Sequence, residues 1–199
     1  NNVTLNNPFV YIDIEADTKL ACLIYDAIET DKKMLISKDD GLYSFYTVKQ
    51  YLQFIADINM VKSDIEAVIE TFELEQFRDT KIKNLDDAIK QRIRISTLML
   101  IQAECVFIEE PLNHLDRKGA QLVIGFLESF ADTHKLITSS QSFRNVCLMS
   151  GNLYHHKEDA LVPIYESLDV PNTNNVSTNH KATLLIKSQS VEYLIDIED

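Results

Sequence analysis

Apolar and polar residues recur along this chain with two different periods, and the clearest pattern lies between residues 84 and 116. From Leu85 to Leu100 the apolar residues follow helical spacing, which predicts a helix with one buried face. Cys105–Ile108 is a short apolar run with β-branched and aromatic residues, which favours a strand buried on both faces. The carboxylates of Glu109 and Glu110 then follow at the carboxyl end of this strand, where open α/β sheets bind ligands.

The same periods predict further elements on both sides of this stretch. Helical spacing predicts three more helices, at Tyr46–Ala56 with Thr47 as N-cap, at Asp64–Glu73 with Ser63 as N-cap, and at Ala120–Phe130. Strands are predicted to begin at Met34 and to lie at Lys135–Ser140, Val146–Met149 and Gly151–His155.

The first 30 residues allow two interpretations. In the first, Phe9–Ile14 is a strand, and Asp17 or Thr18 caps a helix that runs to Ile28. In the second, Leu20–Ile24 is the strand and the helix is missing. The sequence alone does not decide between helix and strand in residues 18–28.

The C-terminal residues have a different character. Residues 171–180 are polar and rich in turn-forming residues, which indicates a linker. Ala182–Lys187 and Val191–Ile197 alternate between apolar and polar residues on either side of Ser188–Ser190, which predicts a β-hairpin.

Composition indicates a soluble globular protein. The 199 residues are 45% hydrophobic and 25% charged, which is enough apolar chain for a sizeable core. No apolar run approaches the roughly 20 residues that span a bilayer, and no signal-peptide pattern opens the chain, so we expect a cytoplasmic location without direct membrane insertion. A net charge of −12 repels phosphate backbones and argues against nucleic-acid binding. The scattered Cys22, Cys105 and Cys147 are expected to be buried free thiols, and no metal site is predicted.

Three motifs between residues 85 and 116 occur in a recognisable order. They read LDDAIKQR at Leu85–Arg92, CVFIEEP at Cys105–Pro111 and LNHLD at Leu112–Asp116. Their order and spacing resemble the ATP-binding cassette (ABC) family of transporter ATPases. In that family a helix opening LSGGxxQR precedes a strand ending Asp-Glu-Pro and a turn ending Leu-Asp.

The resemblance implies an α/β fold: a P-loop NTPase-like core sheet with flanking helices and a small helical subdomain. We therefore expect an ABC ATPase-like domain at residues 1–160, with its helical subdomain at about 44–95. Residues 161–199 are then a C-terminal extension that contains the linker at 171–180 and the hairpin at 182–197.

The phosphate-binding loop of the family, GxxGxGK[ST], has no counterpart in the sequence. Such a loop needs successive backbone N–H groups in conformations that glycine adopts easily, and a lysine for the terminal phosphates. The turn at the corresponding place, Ile14–Lys19, has no glycine and carries Glu15 and Asp17. ATP and Mg²⁺ are the ligands of the family, but we expect their binding here to be absent or weak, and we predict no cofactor.

The resemblance also assigns roles to single residues, and most of these positions are altered. Asp86, Asp87 and Ala88 replace the Ser-Gly-Gly whose N–H groups touch the γ-phosphate, and the two aspartates repel a triphosphate. Capping of the helix N-terminus explains the same aspartates without any nucleotide. Glu109 stands in place of the Asp that supports Mg²⁺, and Glu110 in place of the general base; we expect this pair to be an exposed remnant. The other family positions are Lys38 for the Q-loop glutamine, Gln91 in the signature helix, Asp116 in the turn, and Gln141 for the switch histidine.

The groove that receives the coupling helix of a permease in this family lies near the Q-loop. Residues 41–55 retain this region, and their aromatic residues are candidates for anchoring such a helix, with packing inside the subdomain as the alternative for each. The candidates are Tyr43, Phe45, Tyr46 and Tyr51, and Phe54 is a further aromatic of the same segment.

These observations favour a degenerate ABC transporter ATP-binding-type subunit that does not hydrolyse ATP. It would act as a scaffold or regulatory partner of a membrane permease, an active ABC ATPase or both, as a homo- or heterodimer, held at the inner face of the cell membrane through the permease. Two alternatives remain at this point. One is an ABC ATPase subunit that still binds ATP in an altered way, and the other is a soluble interaction protein on an ABC-like fold.

Overall fold

The computed structural model describes residues 26, 30–38, 41–142 and 145 in full, together with the backbone of five strands outside these ranges. The strands are β1 (Phe9–Asp13), β2 (Lys33–Ile36), β3 (Cys105–Glu109), β4 (Lys135–Ser140), β5 (Asn152–Lys157), β6 (Ala160–Pro163), β7 (Ala182–Ser188) and β8 (Val191–Ile197). The first six form one sheet in the order β2-β3-β4-β1-β5-β6, and β7 and β8 form a separate antiparallel pair.

Strands β1 to β5 run parallel, and β6 is antiparallel to β5 at one edge. β3 and β4 lie next to each other inside the sheet, and all of their residues from Cys105 to Ile108 and from Leu136 to Ser140 are buried. Burial on both faces explains why β3 reads as a continuous apolar run, whereas the buried end of β4 is polar, at Thr138, Ser139 and Ser140. Because the strands are parallel, the carboxyl ends of β1 to β5 meet at the same edge of the sheet.

The described residues contain four longer helices and three short 3₁₀ turns. The helices are α1 (Val48–Ile58), α2 (Ile65–Thr71), α3 (Asp87–Ser96) and α4 (Arg117–Ala131), and the turns lie at Glu75–Phe77, Ile82–Asn84 and Thr97–Leu100. Within the part of the chain that the structure describes, no helix has the length and apolar character needed to cross a membrane.

Two helix N-termini show how local sequence sets these bounds. Thr47 begins α1 with a capping box: its hydroxyl oxygen accepts from Gln50 N at 3.2 Å, and Gln50 Oε1 accepts from Thr47 N at 3.0 Å. The predicted cap of α2 at Ser63 is wrong. Asp64 is the cap, since its carboxylate accepts from the N–H groups of the first helical turn, whereas Ser63 donates to Met99 O at 3.4 Å.

One contiguous cluster of buried side chains joins α1, α2 and α3 to the sheet. Leu52 and Ile93 from these helices belong to the same cluster as Val106 of β3 and Val123 of α4. Phe72, just after α2, packs edge-on against Phe126 of α4 with ring centroids 4.8 Å apart. The predicted helical subdomain therefore shares its core with the sheet.

At the N-terminus, the strand at Phe9–Asp13 lies between β4 and β5, which agrees with the first of the two interpretations. Asp26 lies in a helical conformation. The predicted turn at Ile14–Lys19 and the rival strand at Leu20–Ile24 lie outside the described residues, as do Cys22 and Cys147. Cys105 is buried and free, and burial raises the pKa of its thiol.

Towards the C-terminus, the predicted strand at Lys135–Ser140 and the hairpin of β7 and β8 are confirmed. The predicted strand at Val146–Met149 lies outside the described residues. The boundary predicted at residue 160 coincides with the start of β6, so the core sheet extends three residues further, to Pro163.

Two glycines in α4 give a matched prediction. A Cβ at Gly125 has no atom within 4 Å, so Gly125→Ala is expected to raise the free energy of unfolding by about 0.5–1 kcal/mol by removing helix-interior flexibility. A Cβ at Gly119 lies 3.0 Å from Asp116 Oδ1, the oxygen that caps this helix, so Gly119→Ala is expected to gain nothing or to lose stability. Urea unfolding midpoints measure both, and an equal gain at the two positions would contradict this account.

Candidate functional site

The residues that follow the carboxyl ends of the parallel strands form the candidate site. β2 is followed by Ser37 and Lys38, Glu110 follows β3, and Gln141 follows β4. Since β2, β3 and β4 are neighbours in the sheet, these segments lie side by side. This is the edge at which open α/β sheets bind ligands.

Glu109, the last residue of β3, connects its strand to the end of β2. One carboxylate oxygen, Oε2, accepts from the Ser37 hydroxyl at 2.7 Å and from the backbone N–H of Lys38 at 3.2 Å. Lys38 thus meets Glu109 through its backbone, and its side chain is exposed. Glu109 itself is half-buried.

Glu110 makes the corresponding connection to β4. Its Oε2 accepts from the Ser140 hydroxyl at 2.6 Å and its Oε1 from the backbone N–H of Gln141 at 2.5 Å, while its own N–H donates to Ser139 O at 2.8 Å. The expectation of an exposed carboxylate is wrong for Glu110, which is only 8% exposed. The reason is that the donors at the end of β4 hold the carboxylate inside. The backbone of Glu110 lies in the left-handed region, with φ at 49°, where the chain turns out of β3.

Gln91 of α3 reaches the backbone of the same turn. Its Nε2 donates to the carbonyls of Glu110 at 3.1 Å and Pro111 at 2.9 Å, and its Oε1 accepts from Arg94 Nη1 at 3.2 Å. The side chain is 2% exposed. Gln91 therefore serves here as a buried link between α3 and the turn after β3.

The predicted capping role of Asp86 is confirmed. Asp86 is the N-cap of α3, and its carboxylate accepts from Ile89 N at 2.8 Å. The N-terminus of a helix attracts anions because its first N–H groups have no partner in the helix. In this chain the carboxylate of Asp86 already occupies that position, next to the half-buried Ala88.

Asp87, the first residue of α3, is exposed and forms an ion pair with Lys90 at 3.1 Å. The hydrogen bond and charge of Lys90 lower the pKa of its carboxyl group, and the charge of His114 contributes in the same direction. His114 is exposed and has a φ of 63°. These residues form a hydrated charged surface at the start of α3.

Asp116 closes the turn after Glu110 as the N-cap of α4, and its Oδ1 accepts from Gly119 N at 2.7 Å. Asp86 and Asp116 thus each act as the N-cap of a helix in this chain.

The predicted partner-anchoring aromatics divide into two groups. Tyr43, Phe45 and Tyr46 are exposed and, with Leu42 and Ser44, line a cavity of about 420 Å³. Tyr51 is buried in the core cluster, so its assignment to partner docking is wrong; as a residue on the inner face of α1 it packs within the helices.

Comparison with known proteins gives relatives of one kind. The chain is 30% identical over 156 residues to an uncharacterized ABC transporter ATP-binding protein/permease of Saccharomyces cerevisiae, a match that covers 67% of this chain and 12% of the relative. It is 24% identical over 159 residues to ABC transporter G family member 37 of Arabidopsis thaliana, covering 67% of this chain and 11% of that protein. No family model matches the sequence.

The fold gives the same result. A putative ABC transporter ATP-binding protein of Pyrococcus furiosus superposes with a TM-score of 0.58 at 17% identity, covering 67% of this chain and 78% of that one. The chain is an ABC nucleotide-binding-domain-like protein. It spans about an eighth of the length of the two eukaryotic ABC proteins it matches.

Within this ABC-like fold, the structure brings some of the assigned motif positions together and separates others. Lys38 meets Glu109, and Gln91 and Gln141 both contact Glu110. The signature and turn aspartates form their hydrogen bonds and ion pairs mainly within their own helices and the adjoining turn.

Two residues of the ABC-like site were not identified from the sequence, Ser37 and Ser140, whose hydroxyl groups bind the paired glutamates. A signal for both was available, because each serine stands at or just after the end of a predicted strand, where parallel sheets place ligand-binding side chains. A hydroxyl at that position lies level with the end of the neighbouring parallel strand.

Proposed function

We propose that this chain is a non-hydrolysing ABC-type ATP-binding subunit or domain. It acts as a scaffold or regulator of a membrane permease, of an active ABC ATPase, or of both. The observation that carries the proposal is that Glu109 and Glu110 bind hydroxyl and N–H donors of the chain itself.

Carboxylates that already accept hydrogen bonds from the chain itself are poorly suited to ATP hydrolysis, for an energetic reason. A general base must accept a proton from water, and a Mg²⁺ ligand must turn its oxygens to the ion. Glu110 must first give up two charge-assisted hydrogen bonds in a buried position, and each is worth about 1.5–3 kcal/mol. With no glycine in the first 40 residues to form a phosphate cradle, little binding energy is available to offset that loss.

The signature end of the domain supports the same proposal. An ABC partner would present its nucleotide to the N-terminus of α3, where the Asp86 carboxylate caps the helix and Asp87 adds a second exposed charge. Two carboxylates repel a triphosphate at this position. In a homodimer, each composite nucleotide site lacks a phosphate-binding loop. In a heterodimer with an active ATPase, the loop of the partner would face the Asp86 and Asp87 carboxylates.

A role in assembly is supported by the exposed aromatic residues near the Q-loop position, Tyr43, Phe45 and Tyr46. Aromatic side chains that border an apolar groove are common anchors for a partner helix. The yeast relative is named an ATP-binding protein/permease. We therefore place the chain at the inner face of a cell membrane, bound to permease segments of its own protein or of another.

Phosphate release from Mg–ATP tests the catalytic part of the proposal. The purified chain is expected to release phosphate no faster than buffer, and Glu110→Ala is expected to leave that rate unchanged. Phosphate release that saturates with ATP and is lost in Glu110→Ala overturns the proposal and favours an ATPase subunit with an altered site.

Affinity capture from native membranes tests the assembly part. Recovery of a multi-span permease or of an intact ABC ATPase is the expected result. Recovery of neither favours a soluble interaction protein on an ABC-like fold.

A further inference from the structure

We draw no further inference here: the strongest candidate, the buried Ser139 hydroxyl, which has no hydrogen-bond partner among the described residues and stands in register with Glu109 at the carboxyl edge of the sheet, belongs to the site already described.

Discussion

Replacing Glu110 with glutamine is expected to lower the free energy of unfolding by about 2 kcal/mol, within a range of roughly 1–3 kcal/mol. The carboxylate is buried and accepts from the Ser140 hydroxyl and the Gln141 N–H. Glutamine keeps the shape and one acceptor, but its NH₂ group must then face one of these two donors. The N–H of Gln141 can only donate, so the amide oxygen must face it. The NH₂ group then faces Ser140, whose hydroxyl must turn and accept instead of donating. Charge-assisted bonds also weaken to neutral ones.

Urea unfolding with an unchanged m-value measures this loss. Glu109→Gln is the matched control, because Glu109 is less buried and its Ser37 and Lys38 donors both meet Oε2, which the amide oxygen of glutamine can replace; we expect a loss below about 1 kcal/mol. A double-mutant cycle of Glu110→Gln with Ser140→Ala should give a coupling of about 1 kcal/mol. If Glu110→Gln proves no more destabilising than Glu109→Gln, the carboxylate has the freedom that a catalytic base needs, and the present account fails.

Gln91→Leu is expected to cost about 2–3 kcal/mol. Leucine fills a similar volume, so the loss comes from hydrogen bonding. The carbonyls of Glu110 and Pro111 lose their shared donor, and Arg94 loses an acceptor in a part-buried position. The same change frees α3 from the turn after β3.

Gln53→Leu separates this effect from a general cost of replacing an amide. Gln53 is exposed on α1, where it donates to Asp57 at 2.8 Å, so its replacement is expected to change stability by less than about 0.5 kcal/mol. Thermal and urea unfolding of both variants measure the difference. Equal losses at the two positions would show that the buried link through Gln91 contributes little.

Much of the fold is predictable from local pattern. Lys135–Ser140 contains the apolar pair Leu136 and Ile137 and ends at a polar turn, and the observed strand has the predicted bounds. The capping pair of Thr47 and Gln50 lies within one helical turn, so the start of α1 is also a local property. The cap of α2 was assigned one residue too early, because Ser63 and Asp64 are both good caps and only the tertiary contact of Ser63 with Met99 decides between them.

The site is harder to predict because its contacts join residues far apart in the sequence. Glu110 is buried against Ser140, 30 positions later, and has a left-handed backbone conformation, and neither feature leaves a periodic signal. Tyr51 shows the complementary difficulty. It stands in the same aromatic-rich segment as Tyr46, but Tyr51 lies on the inner face of α1, whereas Tyr46 precedes the helix and is exposed.

Glu109 and Glu110 stand at the nucleotide-site positions of the family, and we propose that their carboxylates serve a structural role in this chain instead of binding Mg–ATP. A calorimetric titration of the purified full chain with Mg–ATP tests it most directly. No saturable heat is expected up to about 1 mM ATP. Saturable binding with a micromolar Kd would contradict it.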